Sequence, residues 1–525
     1  MISLLFLIAW FTICPLGYGL TPNGGQVWDG NGWLFLVDNP DAQRPYPPKS
    51  DSWKSWETTI FIGISSFRDR RCPATLFNYF SKAEYPERIR IGVVQQNNAD
   101  EDPDCLERYC ELMKKDGRWA DLSEECPFQE NIQVIRLDYK LANGPCFGRH
   151  FQSYLLGDEE FCMQSDSHMD VVEHWDTRML NAWGLANNEY GVLTAYVHRI
   201  SQLGTRGIVN NQEVPHLCQL YFTEGNHPRF VQAKLARHLP VPKLTTGWAA
   251  GYNFSKCHGW KAVPYDPHLK QVFDGEEFSM AARLWTRGYD FYTPNESLIG
   301  HDYNKVSTGP GPHSWTKNTV VGQRKASYER LAGLLGTTEE ARADPPDMGK
   351  YGLGTARSIE QLQHFIGVDL TSLETTGSRC GSLNWVPFQE SWPPTEDNID
   401  IADKDQLLNE AKHAVRLEID FNREDERPEE DVNREEIGPE ADLNQKGSIS
   451  NQETQTTEAA EVGSRAIQAS GRLDRGSECL PDILLLIHSS LLLSTADLFW
   501  LIGSCAAMLF LAKHQKRKGG EEREV

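Results

Sequence analysis

The run Phe161-Cys162-Met163-Gln164-Ser165-Asp166-Ser167-His168-Met169-Asp170 sets a carboxylate and an imidazole just past three apolar residues. In extended backbone, residues two apart point to the same side, so Asp166 and His168 converge on one point. Such a pair at the carboxyl end of a strand in an α/β sheet suits a divalent metal. The competing explanation is that Asp166 caps the next helix and His168 is incidental. His301 repeats the arrangement, standing just past the apolar run that ends at Ile299-Gly300. Between the two, Asp274-Gly275-Glu276-Glu277 opens a helical pattern, where acids are also favoured by the helix dipole. Two histidines and one carboxylate with open positions favour manganese or cobalt over magnesium, which prefers an all-oxygen shell. A metal so held would bridge a diphosphate and offset the charge growing on it as it leaves.

These residues need a frame that brings strand ends together. Thr58–Ser66 reads as a buried strand, Pro73–Ala83 as a helix, Arg88–Gln96 as a strand and Ile132–Asp138 as another. A short helix lies near Leu106–Lys114 in a polar insertion, and Gly148–Leu156 reads as a helix before the strand ending at Asp166. Val171–Leu180 carries Val172, Trp175 and Met179 on one helical face, and Gly191–Val197 follows as a strand. After an irregular excursion over 198–245, Gly247–Phe254 and Asp290–Ile299 read as strands flanking the helix Glu276–Trp285. Gln323–Leu335 and Ser358–Ile366 are the last helices expected. Strands alternating with helices imply an α/β fold with a largely parallel sheet covered on both faces. Ligands of such sheets bind beyond the carboxyl ends, where Ser65, Arg68, Gln95, Asp166 and His168 all fall. No Walker loop, GxGxxG or GxSxG elbow occurs in the sheet region, which argues against ATPases, dehydrogenases and serine hydrolases.

At 525 residues with a formal charge of −22, the chain is a poor electrostatic fit to nucleic acid. Glu396 to Asp442 holds 18 acids and 6 bases, a net −12, so over half the charge lies in that one segment. The twelve cysteines include Cys14 and Cys505 in terminal apolar runs; the other ten permit disulfides but leave the redox compartment open. Residues 1–20 read as a secretory signal peptide or signal anchor lacking a basic start, and 21–56 as a linker. Residues 57–375 form the expected catalytic domain and 376–479 an acidic disordered stalk. A membrane span is expected over 483–512, with Lys513, Lys516, Arg517 and Lys518 opening a cytosolic tail, 513–525, that is basic and then acidic.

The strings SSFRDRRCPATLFNYFSKAEYPERIRIGV, ANGPCFGRHF, FCMQSDSHMDVVEHWD, WAAGYNFS, VPYDP, DGEEFSMAARLWTRGYDFYTP and YGLGTARSIEQLQHFIGVDL, spread over residues 57–370, resemble one family. It comprises the protist hydroxyproline N-acetylglucosaminyltransferases that modify the small adaptor subunit of cullin ubiquitin ligases, with the mucin-type polypeptide N-acetylglucosaminyltransferases. The resemblance implies a GT-A, Rossmann-like fold that binds UDP-GlcNAc as donor, with Asp-x-His in place of the commoner Asp-x-Asp. It makes Asp166, His168 and His301 ligands of a divalent metal, Mn2+ by the donor chemistry above. Ser65, Arg68 and Asp69 would line the uridine pocket and Arg149 would lie near the nucleotide sugar. Asp274 to Glu277 would face sugar or acceptor, with Glu276 and Glu277 as catalytic candidates beside Asp166 and His168. The family retains configuration, so the product would be an α-linked GlcNAc on a protein hydroxyl, Thr, Ser or hydroxyproline.

Topology and resemblance then part. The adaptor-modifying enzymes are cytosolic, whereas a signal-like start and a basic flank after a span place the catalytic region in the lumen of the ER or Golgi, facing secreted or surface proteins. The alternatives are a cytosol-facing transferase acting on the ubiquitin-ligase adaptor, and an inactive sugar-nucleotide fold serving as a tethered lectin or scaffold. An intact Asp166, His168 and His301 set argues against the last. Two N-glycosylation sequons, Asn253-Phe254-Ser255 and Asn295-Glu296-Ser297, fall within expected strands.

Overall fold

The computed structural model describes residues 21–388 except 120–125, 205–206, 209–212, 233, 305–314, 316 and 318–319. Two strands open it, β1 (Thr21–Trp28) and β2 (Trp33–Asp38), an antiparallel hairpin with a register shift between Pro22 and Gln26. Later strands Glu213–His216 and Lys234–Arg237 join it in a four-stranded sheet. Residues 21–38, expected as part of a linker, are therefore structured. Pro22, Gly24 and Gly25 break the period-2 pattern where the register shifts, which hides the strand from a reading of the sequence.

The apolar runs of the catalytic region build the central sheet. β3 (Ile60–Phe67), β4 (Ile89–Asn97), β5 (Ile132–Asp138) and β6 (Phe161–Asp166) lie parallel in the order β6-β3-β4-β5. Alternate residues serve opposite faces: Ile60, Ile62, Ile64, Ile91, Val93 and Met163 enter one core cluster, Phe61, Val94 and Cys162 another. Each such fully buried Ile, Val, Phe or Met side chain contributes about 1.5–3 kcal/mol relative to exposure. The sheet continues past β6 through Tyr252–Lys256, β8 (Gly191–Thr194), Asp290–Thr293 and Lys243–Thr245, eight strands in all. Tyr252–Lys256 runs antiparallel to both neighbours, and Lys243–Thr245 is antiparallel to Asp290–Thr293. The sheet is thus mixed but mostly parallel, an α/β fold.

Local departures from the expected elements cluster around the strand ends. The helix expected from Val171 begins at Trp175, because β7 (Met169–Val171) pairs with Ile299–His301 and the Val172 N–H donates to the Leu298 carbonyl. Asp290–Ile299 accordingly divides between two sheets. The helix expected at Gly148–Leu156 is Pro145–His150, started by Pro145, followed by a 3-10 turn over Phe151–Tyr154.

Eight cysteines form four disulfides, Cys72–Cys105, Cys110–Cys126, Cys162–Cys257 and Cys218–Cys380. The stretch from Cys380 to Phe388 belongs to the domain: Trp385 Nε1 donates to Asp290 Oδ2 at 2.8 Å, and Arg357 Nε donates to the Val386 carbonyl. The ordered region therefore extends through 376–388, beyond the boundary expected at 375, because a disulfide and two aromatic anchors, Trp385 and Phe388, tie it down. Among the described residues no helix is long and apolar enough to cross a membrane. The expected signal, the span at 483–512, the tail at 513–525 and the stalk from 389 onward lie outside the described residues.

Candidate active site

Asp166 is the last residue of β6, and β7 starts three residues later. β7 pairs antiparallel with Ile299–His301 in a register that sets His301 opposite Met169. That register carries His301 to the side of His168. Their Nε2 atoms stand 2.8 Å apart, and His301 Nε2 lies 3.4 Å from Asp166 Oδ2. One ligand atom from each of the three lies within 4.8 Å of the others. Ligand atoms about 2 Å from a common ion lie about 3 Å from one another, so the set is of a size that fits a divalent metal.

The tautomer of His168 is fixed from behind. Asp69 Oδ2 accepts from His168 Nδ1 at 2.5 Å and from the Ser167 hydroxyl at 2.6 Å, leaving the His168 Nε2 lone pair facing His301. Asp69 is only 3% exposed. Burial opposes a charge on His168, but the Asp69 hydrogen bond and the Asp69, Asp166 and Asp302 charges outweigh it and raise its pKa. Burial likewise works to raise the Asp166 carboxyl, yet the His301 hydrogen bond and the Arg149 and His168 charges hold it well below the usual carboxylate range. Opposite it, Gly251 accepts the Asp166 N–H through its carbonyl at 3.1 Å. A Cβ on Gly251 would sit 2.7 Å from Asp166 Oδ2, so only glycine lets this carboxylate lie where it does.

Arg149, on the helix Pro145–His150, bridges two acids. Its guanidinium donates to Asp166 Oδ1 at 2.9 Å and to Glu276 Oε1. Burial raises the Glu276 carboxyl against the pull of Arg149. Glu276 and Glu277 begin the helix Glu276–Thr286, entered through Gly275 at φ 92°. Glu277 accepts the Tyr196 hydroxyl and the Ala250 N–H; burial and the neighbouring Glu276 push it up to about 7. Arg149, Asp166, Glu276, Glu277 and His301 border a cleft of about 680 Å³, whose lining also includes Tyr196, Tyr303 and Arg229.

Not every expected residue converges here. Arg68, at φ 51°, turns its guanidinium onto Asp102 and Glu101, both at 2.6 Å, and over the Tyr139 ring. Ser65 pairs in register with Asp166 and packs beneath Gly148, whose Cβ position lies 2.5 Å from the Ser65 Oγ. Asp69, expected in the uridine pocket, sits under His168, hydrogen-bonded to its Nδ1, just after the left-handed residue Arg68. Asp274 is held by Arg229 at 2.9 Å and is not among the residues that line the cleft. Three residues went unread in the sequence: Tyr196, Tyr303, whose ring stacks on His301 at 4.0 Å, and Arg199, which lies over Tyr303. Tyr303 follows His301 at the same two-residue spacing that marked Asp166 and His168, which was the available signal.

Similar solved structures include GalNAc-T7 with UDP, GalNAc and Mn2+, at 12% identity over 67% of this chain and 74% of that one, TM-score 0.39. A mannosyltransferase from Pyrobaculum calidifontis with GDP-Man and Mn2+ shares 9% identity over 63% and 75%, TM-score 0.33. S. aureus TarS 1-349 with UDP-GlcNAc shares 10% over 54% and 67%, TM-score 0.31. Likenesses this weak fix neither substrate nor chemistry. No curated protein matches the chain. The family model described as Glycosyltransferase (GlcNAc) matches residues 59–372, a span that takes in the whole central sheet and all three members of the Asp166 cluster. With well over half of its length matched, this chain belongs to the GlcNAc glycosyltransferase family.

Proposed function

We propose that the chain is a metal-dependent, retaining transferase of the GT-A type that moves GlcNAc from UDP-GlcNAc to a hydroxyl of a secreted or surface protein. The observation that carries this reading is the meeting of Asp166, His168 and His301 beside the Arg149–Glu276 pair, with Asp166, His301, Arg149 and Glu276 lining the cleft. The three side chains would hold a divalent metal, Mn2+ by the imidazole content of the set, which when bound offsets the charge of the diphosphate. Asp69 keeps His168 in the tautomer that presents Nε2. Arg149 orients Asp166 and keeps Glu276 beside the donor sugar. Glu277 and Tyr196 form a polar wall where the acceptor enters. No side chain is assigned as a covalent nucleophile. Transfer runs on one face of the sugar: the bond from the anomeric carbon to the diphosphate oxygen breaks, the acceptor oxygen bonds to that carbon, and its proton passes to the leaving diphosphate.

Four disulfides support a lumenal setting, since such bonds persist in oxidising compartments and are rare in the cytosol. They weigh against the cytosolic ubiquitin-ligase adaptor as acceptor and for Thr, Ser or hydroxyproline hydroxyls in the secretory pathway, with the chain tethered to a Golgi or ER membrane. The test is a donor screen of the full chain with hydroxyl-bearing peptides, with Mn2+ or chelator, reading UDP release and the anomeric proton of the product. UDP-GlcNAc as the preferred donor and an α linkage support the reading. A β linkage, or another preferred sugar, contradicts it.

A further inference from the structure

The two N-glycosylation sequons occupy very different places. Asn253 is 3% exposed, second residue of the strand Tyr252–Lys256, which lies between β6 and β8. Its Nδ2 donates to the Ala249 carbonyl at 3.1 Å, and its neighbours Phe254 and Ser255 are buried too. A glycan on that nitrogen leaves no room for the sheet to close. Asn295 lies instead in the bend between Asp290–Thr293 and Ile299–His301, half-buried. Its Oδ1 is turned inward without a partner, while its Nδ2 is neither buried nor hydrogen-bonded among the described residues. The next residue, Glu296, reaches across to Arg178 at 2.5 Å on the helix Trp175–Ala186, and Ser297 is tucked in with its hydroxyl on the Glu213 carbonyl. The bend thus leaves Asn295 partly exposed outside the strands, with its amide nitrogen uncommitted to any hydrogen bond among the described residues. No residue from 293 to 298 borders the catalytic cleft, so a bulky group there leaves the cleft open.

We infer that Asn295 carries an N-linked glycan and Asn253 does not. The inference rests on the lumenal setting proposed above, because the donor is found only there. The co-reactant is a lipid-diphosphate-linked oligosaccharide, used by the oligosaccharyl-transferring machinery of the secretory pathway. A bond forms between Asn295 Nδ2 and the anomeric carbon of the oligosaccharide. The bond from that carbon to the lipid diphosphate breaks, and the proton lost by the amide leaves with the diphosphate. Attachment precedes folding, so a buried sequon can be reached; what the fold decides is whether a modified chain reaches its native state. Asn295 meets that condition and Asn253 fails it. The folded population therefore has one glycan, beside the Arg178–Glu296 pair.

The test uses the full chain made in a eukaryotic secretory host, folded protein being compared before and after peptide-N-glycosidase treatment. The expected result is loss of one glycan, with conversion of Asn295 to aspartate in its tryptic peptide and Asn253 unchanged. Ser297→Ala removes the glycan and Ser297→Thr retains it; both keep Asn295, so a failure of Asn295→Gln to fold does not obscure the outcome. Asp100→Thr provides a control, creating a sequon at the half-buried Asn98, which opens a turn whose next residues, Ala99 and Asp100, are exposed. Modification at Asn98 in that variant with none at Asn295 overturns the inference while sparing the lumenal reading. Modification at neither site overturns the lumenal reading and this inference with it. A glycan found on Asn253 in folded protein contradicts the burial argument.

Discussion

Asp69 Oδ2 stands 2.5 Å from His168 Nδ1, and the far side of the same imidazole faces His301 at 2.8 Å. A buried carboxylate thus sets which nitrogen of His168 is presented to the cluster. Carboxylates behind metal-bound histidines fix ring orientation and raise ligand basicity, and their loss costs about 10–100-fold in metal affinity. Asp69→Asn should weaken Mn2+ binding by that factor while excess Mn2+ restores much of the activity. Titration calorimetry with Mn2+ checks it; unchanged affinity would remove Asp69 from the site.

Gly251→Ala should disable the site without unfolding the domain. The new Cβ would fall 2.7 Å from Asp166 Oδ2, closer than Cβ atoms come to other atoms, so the carboxylate must move. We expect at least a tenfold loss of transfer with a melting temperature within a few degrees of the parent. A parental rate would show that Asp166 has slack.

Much of this frame was legible in the sequence, and the rest was hidden for definable reasons. β3, β4 and β5 are rich in isoleucine and valine, and β6 opens with Phe161, Cys162 and Met163, so their place in a buried sheet could be read directly. Val171 and Val172 misled because their spacing to Trp175 and Met179 suits a helix, whereas pairing with Ile299 claims Val171 as strand. Asp166 and His168 do come together, but across a bend at Ser167 and His168 rather than along an extended strand, so their spacing marked the pair without giving the backbone that joins it. The partnership of His168 with Asp69 spans 99 residues and depends on a left-handed turn at Arg68, which nothing local announces. The pairing of eight cysteines was likewise invisible, since their spacings allow many connectivities.

Glu277 gives the cleft a titrating group near neutrality. Burial raises its folded pKa from 4.5 to about 7, so between those values the folded state holds a proton that the unfolded state has released. Stability therefore falls as pH rises from about 4.5 to 7, by on the order of 3 kcal/mol at most. Glu277→Gln should flatten that slope and remove an inflection near pH 7 from kcat/KM. Thermal melts and rate profiles from pH 5 to 8 check both; an unaltered slope in the variant would assign the titration elsewhere.

Asp176 fastens the start of the helix Trp175–Ala186 to the loop before β4. Its carboxylate is fully buried and accepts from Arg88 Nη2 at 2.8 Å, Arg88 Nε at 3.0 Å and the Glu84 and Tyr85 N–H groups. Asp176→Ala leaves the Arg88 guanidinium buried without its carboxylate, at a cost of about 3–5 kcal/mol. Chemical denaturation should show that loss with an unchanged m-value, and a cost under 1 kcal/mol would mean that the site admits water.

The most direct test of the whole reading compares the full chain with Asp166→Ala for GlcNAc transfer from UDP-GlcNAc to a hydroxyl-bearing peptide, each with Mn2+ and with chelator. Transfer by the parent chain should need Mn2+ and fall about a hundredfold or more in the variant, which should retain its fold by circular dichroism. Transfer at the parental rate by Asp166→Ala in chelator would contradict a metal held by Asp166, His168 and His301.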